Sequence, residues 1–347
     1  MADTKFTALG LSGSGKTCYL LGMYYEMCVG INGFTLVTTN EAASKLERWM
    51  DQLDDEVGQD RFPSGTSLTE FTNYCFELNY YNESIMAFDW ADYGGRTIEV
   101  RENNPKVFTK LSNSIKESTA LYIFIDGELL CDEEKGSKNI QKQKRKLNNS
   151  IDAFVKSHNN EDLPPIVFVI TKFDLCNKEN IKENEIIDIL KKKFNDIFAP
   201  GRLIYVVPVS LGNEISDDDY SGEVEPVNIH IPFFIGIFHE FGERCVGIKE
   251  EILKEEQENR NQISQNINTI NHEKKKWFFT RHKKIDRCEK KIQDAETKIK
   301  SCQESLKKYR KLLTAVSTEL SRTSSAFKVF SGSEEKNFSP VDIVSEI

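Results

Sequence analysis

Gly10-Leu11-Ser12-Gly13-Ser14-Gly15-Lys16-Thr17 decides the fold. The stretch fits G-x-x-x-x-G-K-[ST], the pattern of a loop whose backbone N–H groups cradle phosphate. It follows a short apolar run, Phe6-Thr7-Ala8-Leu9, and precedes a helix-like stretch from Cys18 to Met27. Strand, glycine loop and helix in that order turn the string into a site. Glycines let successive N–H groups point inward at an anion, which side chains would block. The helix N-terminus adds a partial positive charge. In such a loop Ser12, Gly13, Ser14, Gly15 and Cys18 follow the phosphates. Lys16 reaches the β- and γ-phosphates, and Thr17 places its hydroxyl on Mg2+.

Composition sets the frame. A chain of 347 residues suggests two units, or one domain with a large appendage. No apolar run approaches the roughly 20 residues that cross a bilayer. Met1-Ala2-Asp3-Thr4-Lys5 lacks the apolar stretch of a signal peptide. The eight cysteines show no Cys-x-x-Cys pair and no zinc spacing, so thiols in a reducing cytoplasm are the expectation. Charge is uneven. Residues 248–347 hold 21 Lys+Arg against 16 Asp+Glu, a net of +5, so with −9 overall the first 247 residues carry −14. An acidic core does not point to nucleic acid, while the basic extension leaves room for an anionic partner.

Through the first 240 residues, apolar β-branched runs alternate with helical stretches. Strands are predicted at 6–9, 72–80, 85–88, 120–125, 166–170 and 203–208. Helices are predicted at 16–30, 41–57, 103–117, 141–157 and 183–198, and another opens near Pro232. This is an α/β pattern, a mainly parallel sheet flanked by helices. Ligands in such sheets bind at the carboxyl ends of strands. Three further motifs lie at those ends.

Asp92-Tyr93-Gly94-Gly95 follows the strand at 85–88. A carboxylate there can hold a metal-bound water, and the Gly95 N–H can approach a γ-phosphate. Asp89 is a rival for the metal role, although it falls within the strand. Thr171-Lys172-Phe173-Asp174 follows the strand at 166–170. The Asp174 carboxylate can accept hydrogen bonds from guanine N1–H and the 2-amino group, donors that adenine lacks there. The Lys172 stem can lie on the base or ribose face. At Pro208-Val209-Ser210-Leu211-Gly212, backbone N–H groups of Ser210 and Leu211 can meet the guanine 6-oxo group.

Together these motifs resemble the P-loop GTPases of the Ras-like, translation-factor-related class, over roughly residues 4–245. The resemblance implies GTP or GDP with Mg2+ as ligands. It gives Lys16, Thr17, Asp92, Gly95, Lys172, Asp174 and Ser210 the roles described above. Two positions depart from the pattern. Thr171 stands where the family usually has Asn. Arg96 stands directly after Gly95, where many members have the Gln that orients attacking water. Arg stabilises phosphate charge but cannot accept a proton, so slow intrinsic hydrolysis is expected. The class also needs a threonine that closes on Mg2+, between the first helix and the strand at 72. Thr66 and Thr69 both qualify, and Thr66, after Pro63-Ser64-Gly65, is preferred.

From Ile248 to Phe330 there is neither Gly nor Pro. Ile285, Cys288, Ile292, Ala295, Ile299, Cys302, Leu306, Tyr309, Leu313, Val316 and Leu320 recur at spacings of three and four, a coiled-coil seam. It runs about 50 Å and needs a partner. Either residues 250–275 fold back as an antiparallel hairpin, the preferred reading, or the region is one helix that forms a homodimer. At the tip, Trp277-Phe278-Phe279 is flanked by lysines. These aromatics cap the hairpin or pack on another subunit, dock a protein partner, or touch an anionic membrane. Three domains are thus expected: 1–245 for nucleotide, 246–322 for the helical extension, and 323–347 as a polar, partly disordered tail. The expected function is a GTP-driven switch coupled to the arm. The alternative is an interaction protein that binds GTP without significant turnover, and Thr171–Asp174 argues against an ATPase. The long threonine loop and the arm are similar to those of poorly characterised prokaryotic GTPases, some linked to conflict or antiviral systems.

Overall fold

The computed structural model describes residues 4–55, 58–63, 71–93, 105–130, 133–157, 163–213, 215, 220–273 and 279–340. In chain order these form β1 (Thr4–Leu9), α1 (Lys16–Val29), β2 (Phe34–Thr38), α2 (Asn40–Asp55), β3 (Phe71–Tyr80) and β4 (Glu83–Tyr93). Next come α3 (Pro105–Lys116), β5 (Ala120–Asp126), α4 (Glu133–Ser157), β6 (Ile166–Thr171), α5 (Phe173–Lys178), α6 (Glu183–Lys193) and β7 (Leu203–Pro208). Two long helices, α7 (His230–Glu273) and α8 (Phe279–Arg322), precede β8 (Lys328–Ser331) and β9 (Glu334–Lys336).

The strands form one mixed sheet in the order β2-β3-β4-β1-β5-β6-β7-β8-β9. Strands β4, β1, β5, β6 and β7 pair in parallel, while β2-β3 and β8-β9 extend the two sides antiparallel. The architecture is therefore α/β with a mostly parallel core flanked by helices. The central strands are buried on both faces, which is why Ile166-Val-Phe-Val-Ile-Thr171 reads as a continuous apolar run. On one face Leu121, Ile123, Ile125, Phe168 and Ile170 pack with Leu111, Leu147, Phe154 and Leu190 of the helices. On the other, Phe6 lies 5.3 Å from Phe88, 5.8 Å from Tyr122 and 6.1 Å from Phe233, ring centre to ring centre. Gly236 permits that helix to lie against the sheet, because a Cβ there would stand 2.1 Å from the Tyr122 hydroxyl.

The chain divides into two compact units, Met1–Ile237 with Glu319–Phe338, and Phe238–Thr318 with Ser339–Ile347. The first unit holds the sheet. It also contains a polar cluster around His230. Its Nδ1 lies 3.1 Å from Glu26 Oε2 and its Nε2 lies 3.4 Å from Glu319 Oε1. Asn32 and Arg322 donate to the same buried Glu319. Burial alone would raise that carboxyl, but the Arg322 hydrogen bonds and charge, with His230 and Asn32, hold it below the ordinary glutamate value.

In the second unit Arg244 Nη1 donates to Tyr309 Oη at 3.2 Å, and Lys298 pairs with Glu251 at 3.3 Å and with Glu255. Partner positions rise along α7 as they fall along α8. Along the predicted seam, Ile299, Cys302, Leu306 and Tyr309 are half-buried, and Leu313, Val316 and Leu320 are buried. The side chains at 279, 285, 288, 292 and 295, and the residues at 277 and 278, lie outside what the structure describes. No helix among the described residues is long and apolar enough to cross a membrane.

Several elements differ from the sequence reading. The sequence pattern predicts no strand at 34–38, where β2 lies. It is a five-residue strand at the edge of the sheet that pairs with β3, although Phe34 and Leu36 alternate inward. Strand β4 runs on to Tyr93, so Asp92 is still inside it rather than beyond it. The tail expected to be polar and partly disordered is corrected for 328–336. Strand β8 pairs antiparallel with β7, and Phe327, Val329 and Phe330 are buried. Its order comes from pairing with a strand more than a hundred residues earlier, which no local pattern announces. The Phe330→Ala substitution is therefore expected to lower the unfolding free energy by about 3–5 kcal/mol, measured by urea denaturation. A loss below about 0.5 kcal/mol would mark the strand as energetically idle.

Candidate functional site

The glycine loop joins β1 to α1. Gly13 and Gly15 adopt φ of 82° and 76°, values that side chains resist. Gly10 also has no room for a Cβ, which would fall 2.3 Å from Ser14 Oγ. Ser14 Oγ donates to Leu11 O at 2.8 Å and closes the turn. The first helical bond, Tyr19 N–H to Gly15 O, is 2.7 Å. Lys16 is buried, and its Nζ donates to Gly10 O and Leu11 O, both at 3.0 Å. The ammonium thus arches back over its own loop. Ser12 and Gly13 are exposed at the loop crest.

Thr17 Oγ1 donates to Asp92 Oδ2 at 3.1 Å. Strand β4 lies parallel to β1, with Thr7 opposite Ala91, so Asp92 emerges beside the glycine loop. Asp89 sits three residues back, opposite Lys5, and its odd spacing from Asp92 puts it on the other face of the sheet. One hydroxyl and one carboxylate suit a hard cation that keeps several waters. Among the described residues no three His, Cys, Asp or Glu side chains gather in a metal cage. The donor set thus fits Mg2+ shared with phosphate better than a site built wholly of protein.

At the end of β6, Thr171 Oγ1 lies 3.2 Å from both Ser14 O and Ile125 O. Lys172 takes a left-handed backbone, φ 50°, which turns the chain into α5. Its Nζ pairs with Asp126 at 3.3 Å and with Glu128. Burial raises the Asp126 carboxyl above the ordinary aspartate range, opposed by the Lys172 charge. Burial also works against the Lys172 ammonium, but Asp126 and Glu128 outweigh it and its pKa is raised. Asp174 is buried and accepts from Ser210 Oγ at 2.9 Å. Leu211 packs toward α1 at Gly22, where a Cβ would meet it at 2.5 Å.

The structure therefore brings Ser14, Gly15, Lys16, Thr17, Asp92, Thr171, Lys172, Asp174 and Ser210 to the carboxyl ends of β1, β4, β6 and β7. Thr66, Thr69, Gly95 and Arg96 lie outside the described residues. Cys18 faces the same region. Burial pushes its thiol up to about 11, with Lys172 pulling down and Asp92 pushing up, so it remains a thiol near neutral pH. Sequence reasoning missed Asp126, Gly127 and Glu128. A Cβ on Gly127 would stand 2.4 Å from Thr171 O. The available signal was an acidic residue and a glycine directly after an apolar strand.

A family model described as DO-GTPase2, Double-GTPase 2, matches residues 7–203. The match takes in the glycine loop, Asp92 and Thr171–Asp174 and ends before Ser210. No match was found among curated proteins.

Gly15 combines a left-handed backbone with a close approach to Thr171. In Gly15→Ala the left-handed backbone costs about 1–2 kcal/mol, and the new Cβ lies 3.1 Å from the Thr171 side chain. Urea denaturation is expected to show that loss, and an unchanged midpoint would contradict it.

Proposed function

We propose, because the chain belongs to the Double-GTPase 2 family and residues 7–203 match its GTPase domain, that it is a Mg2+-dependent guanine-nucleotide switch of the translation-factor-related class with slow intrinsic turnover. The observation that carries this reading is the 3.1 Å contact between Thr17 and Asp92. These residues are 75 positions apart, yet they meet where a cation shared with phosphate needs a hydroxyl and a carboxylate. Bound there, Mg2+ supplies charge stabilisation for the β- and γ-phosphates. Lys16 adds the second positive charge, and the Gly15–Lys16 helix start contributes N–H groups. Asp174, already hydrogen-bonded by Ser210, presents a carboxylate to the guanine edge. Thr66, or Thr69 in its place, and Gly95 are proposed to sense the γ-phosphate.

Arg96 in place of a water-orienting Gln favours slow hydrolysis, and it also favours the second reading, a protein that binds GTP without significant turnover. Nucleotide binding and single-turnover hydrolysis in the wild type and in Asp174→Asn test both. Asp174→Asn is expected to weaken GTP about 10- to 100-fold and to favour xanthosine triphosphate. Equal competition by ATP in the wild type would end the guanine reading. Hydrolysis at many turnovers per minute by the chain alone would end the slow-turnover reading. No detectable hydrolysis would leave the binding protein.

For residues 246–322 the proposal is an antiparallel helical hairpin that carries a protein-binding function. It is supported by the Arg244–Tyr309 and Lys298–Glu251 pairs, whose positions run in opposite directions along the two helices. A reducing, cytoplasmic setting is proposed from the sequence, whose eight cysteines show no Cys-x-x-Cys pair. A hairpin satisfies its seam within one chain, so light scattering of the dilute protein is expected to give a monomer mass. A stable dimer would favour pairing between chains.

A further inference from the structure

We infer that Arg61 is a positioning residue for purine recognition, acting through the backbone at 220–227 on the loop that holds Asp174. The inference rests on the guanine-nucleotide reading above and extends it. Arg61 ends a short 3-10 turn after α2 and is 3% exposed. A guanidinium that deeply buried is strongly destabilising unless its donors are satisfied. They are satisfied by main-chain carbonyls. Nε and Nη2 donate to Leu53 O at 3.0 and 2.6 Å, and Nη1 donates to Tyr220 O at 2.8 Å and to Gly222 O at 2.6 Å.

The residues from Tyr220 to Pro226 belong to no helix or strand, so their carbonyls depend on partners of this kind. Tyr220 holds a left-handed backbone, φ 51°, which a bulky residue adopts only when its surroundings impose it. Arg61 takes its carbonyl. Phe62 meets the Tyr220 ring edge-on, 5.6 Å between ring centres.

Beyond Gly222 the segment presses on the base-reading loop. A Cβ on Gly212 would stand 2.1 Å from Glu223 O, so only glycine fits beneath it. Val227 N–H donates to Ser210 O at 2.8 Å, and Ser210 N–H returns a bond to Val227 O at 3.2 Å. The Ser210 hydroxyl lies 2.9 Å from Asp174 Oδ1 and 2.7 Å from Gly212 O. A continuous set of contacts thus runs from the guanidinium to the carboxylate. Asp174 needs both oxygens aligned to engage N1–H and the 2-amino group together. Releasing the 220–222 backbone would disturb that alignment and with it the ability to make both bonds at once.

Inosine triphosphate lacks the 2-amino group, so the ratio of GTP to inosine triphosphate affinity reports that alignment. Affinities of the full chain for GTP, inosine triphosphate and inorganic tripolyphosphate are compared in wild type and Arg61→Lys. An ammonium cannot span Leu53 and Gly222 as the planar guanidinium does. The variant is expected to lower the GTP-to-inosine ratio about tenfold, the equivalent of one charge-assisted hydrogen bond, with tripolyphosphate affinity within about twofold. A merely structural role would weaken all three ligands alike. An unchanged ratio in folded Arg61→Lys overturns the inference. Should that variant not fold, Arg61→Gln removes the buried charge and keeps an amide donor too short to reach both Leu53 O and Gly222 O. A lowered ratio there supports the inference, and an unchanged one overturns it. A wild type with no guanine preference overturns the underlying reading and this inference with it. A wild type that discriminates, beside a variant that discriminates equally, overturns this inference alone.

Discussion

One hydroxyl ties the two halves of the site together. Thr171 sits at the end of β6 and has a single proton to share between Ser14 O and Ile125 O, each 3.2 Å away. The first carbonyl belongs to the glycine loop and the second to the neighbouring strand β5. The Thr171–Asp174 turn and the glycine loop are thereby held at one spacing, set by buried strands rather than by loops. The neighbours of Thr171 come close. Gly15 and Gly127 allow it, since a Cβ on either would meet the residue at 3.1 or 2.4 Å. The two glycines and the threonine form one steric unit.

The carboxyl edge of the sheet gathers charges that could not be buried alone. An uncompensated ion costs several kcal/mol, a large part of the roughly 5–15 kcal/mol that holds a domain folded. Each charge here has a local answer. Lys16 donates to two carbonyls of its own loop, Thr17 donates to Asp92, and Lys172 draws on Asp126 and Glu128. Asp174 is met by Ser210, and Arg61 by three main-chain carbonyls. Polar groups fixed in this way keep their orientation before any ligand arrives, which lowers the reorganisation a bound nucleotide would demand.

The polar cluster around His230 shows the same logic away from the nucleotide loops. Glu26 from the last turns of α1 and Glu319 from the end of α8 meet one imidazole, and Asn32 before β2 and Arg322 donate to Glu319 in turn. This helps explain why residues 319–338 belong with the sheet although the chain has travelled through two 44-residue helices to reach them.

The residues themselves determined the glycine loop, the buried parallel strands and the order of the motifs along their carboxyl ends. Those features are local: a glycine pattern sets backbone angles, and a run such as Ile166–Thr171 is apolar because both of its faces are covered. Strands β2 and β8, the approach of Asp126 and Glu128 to Lys172, and the reach of Arg61 to Tyr220 and Gly222 were decided by tertiary structure alone. Each joins residues distant in the chain, through hydrogen bonds whose partners exist only after the sheet has brought them together. A short stretch with little intrinsic preference carries no record of such a partner, so periodicity reads it as loop and folding makes it structure.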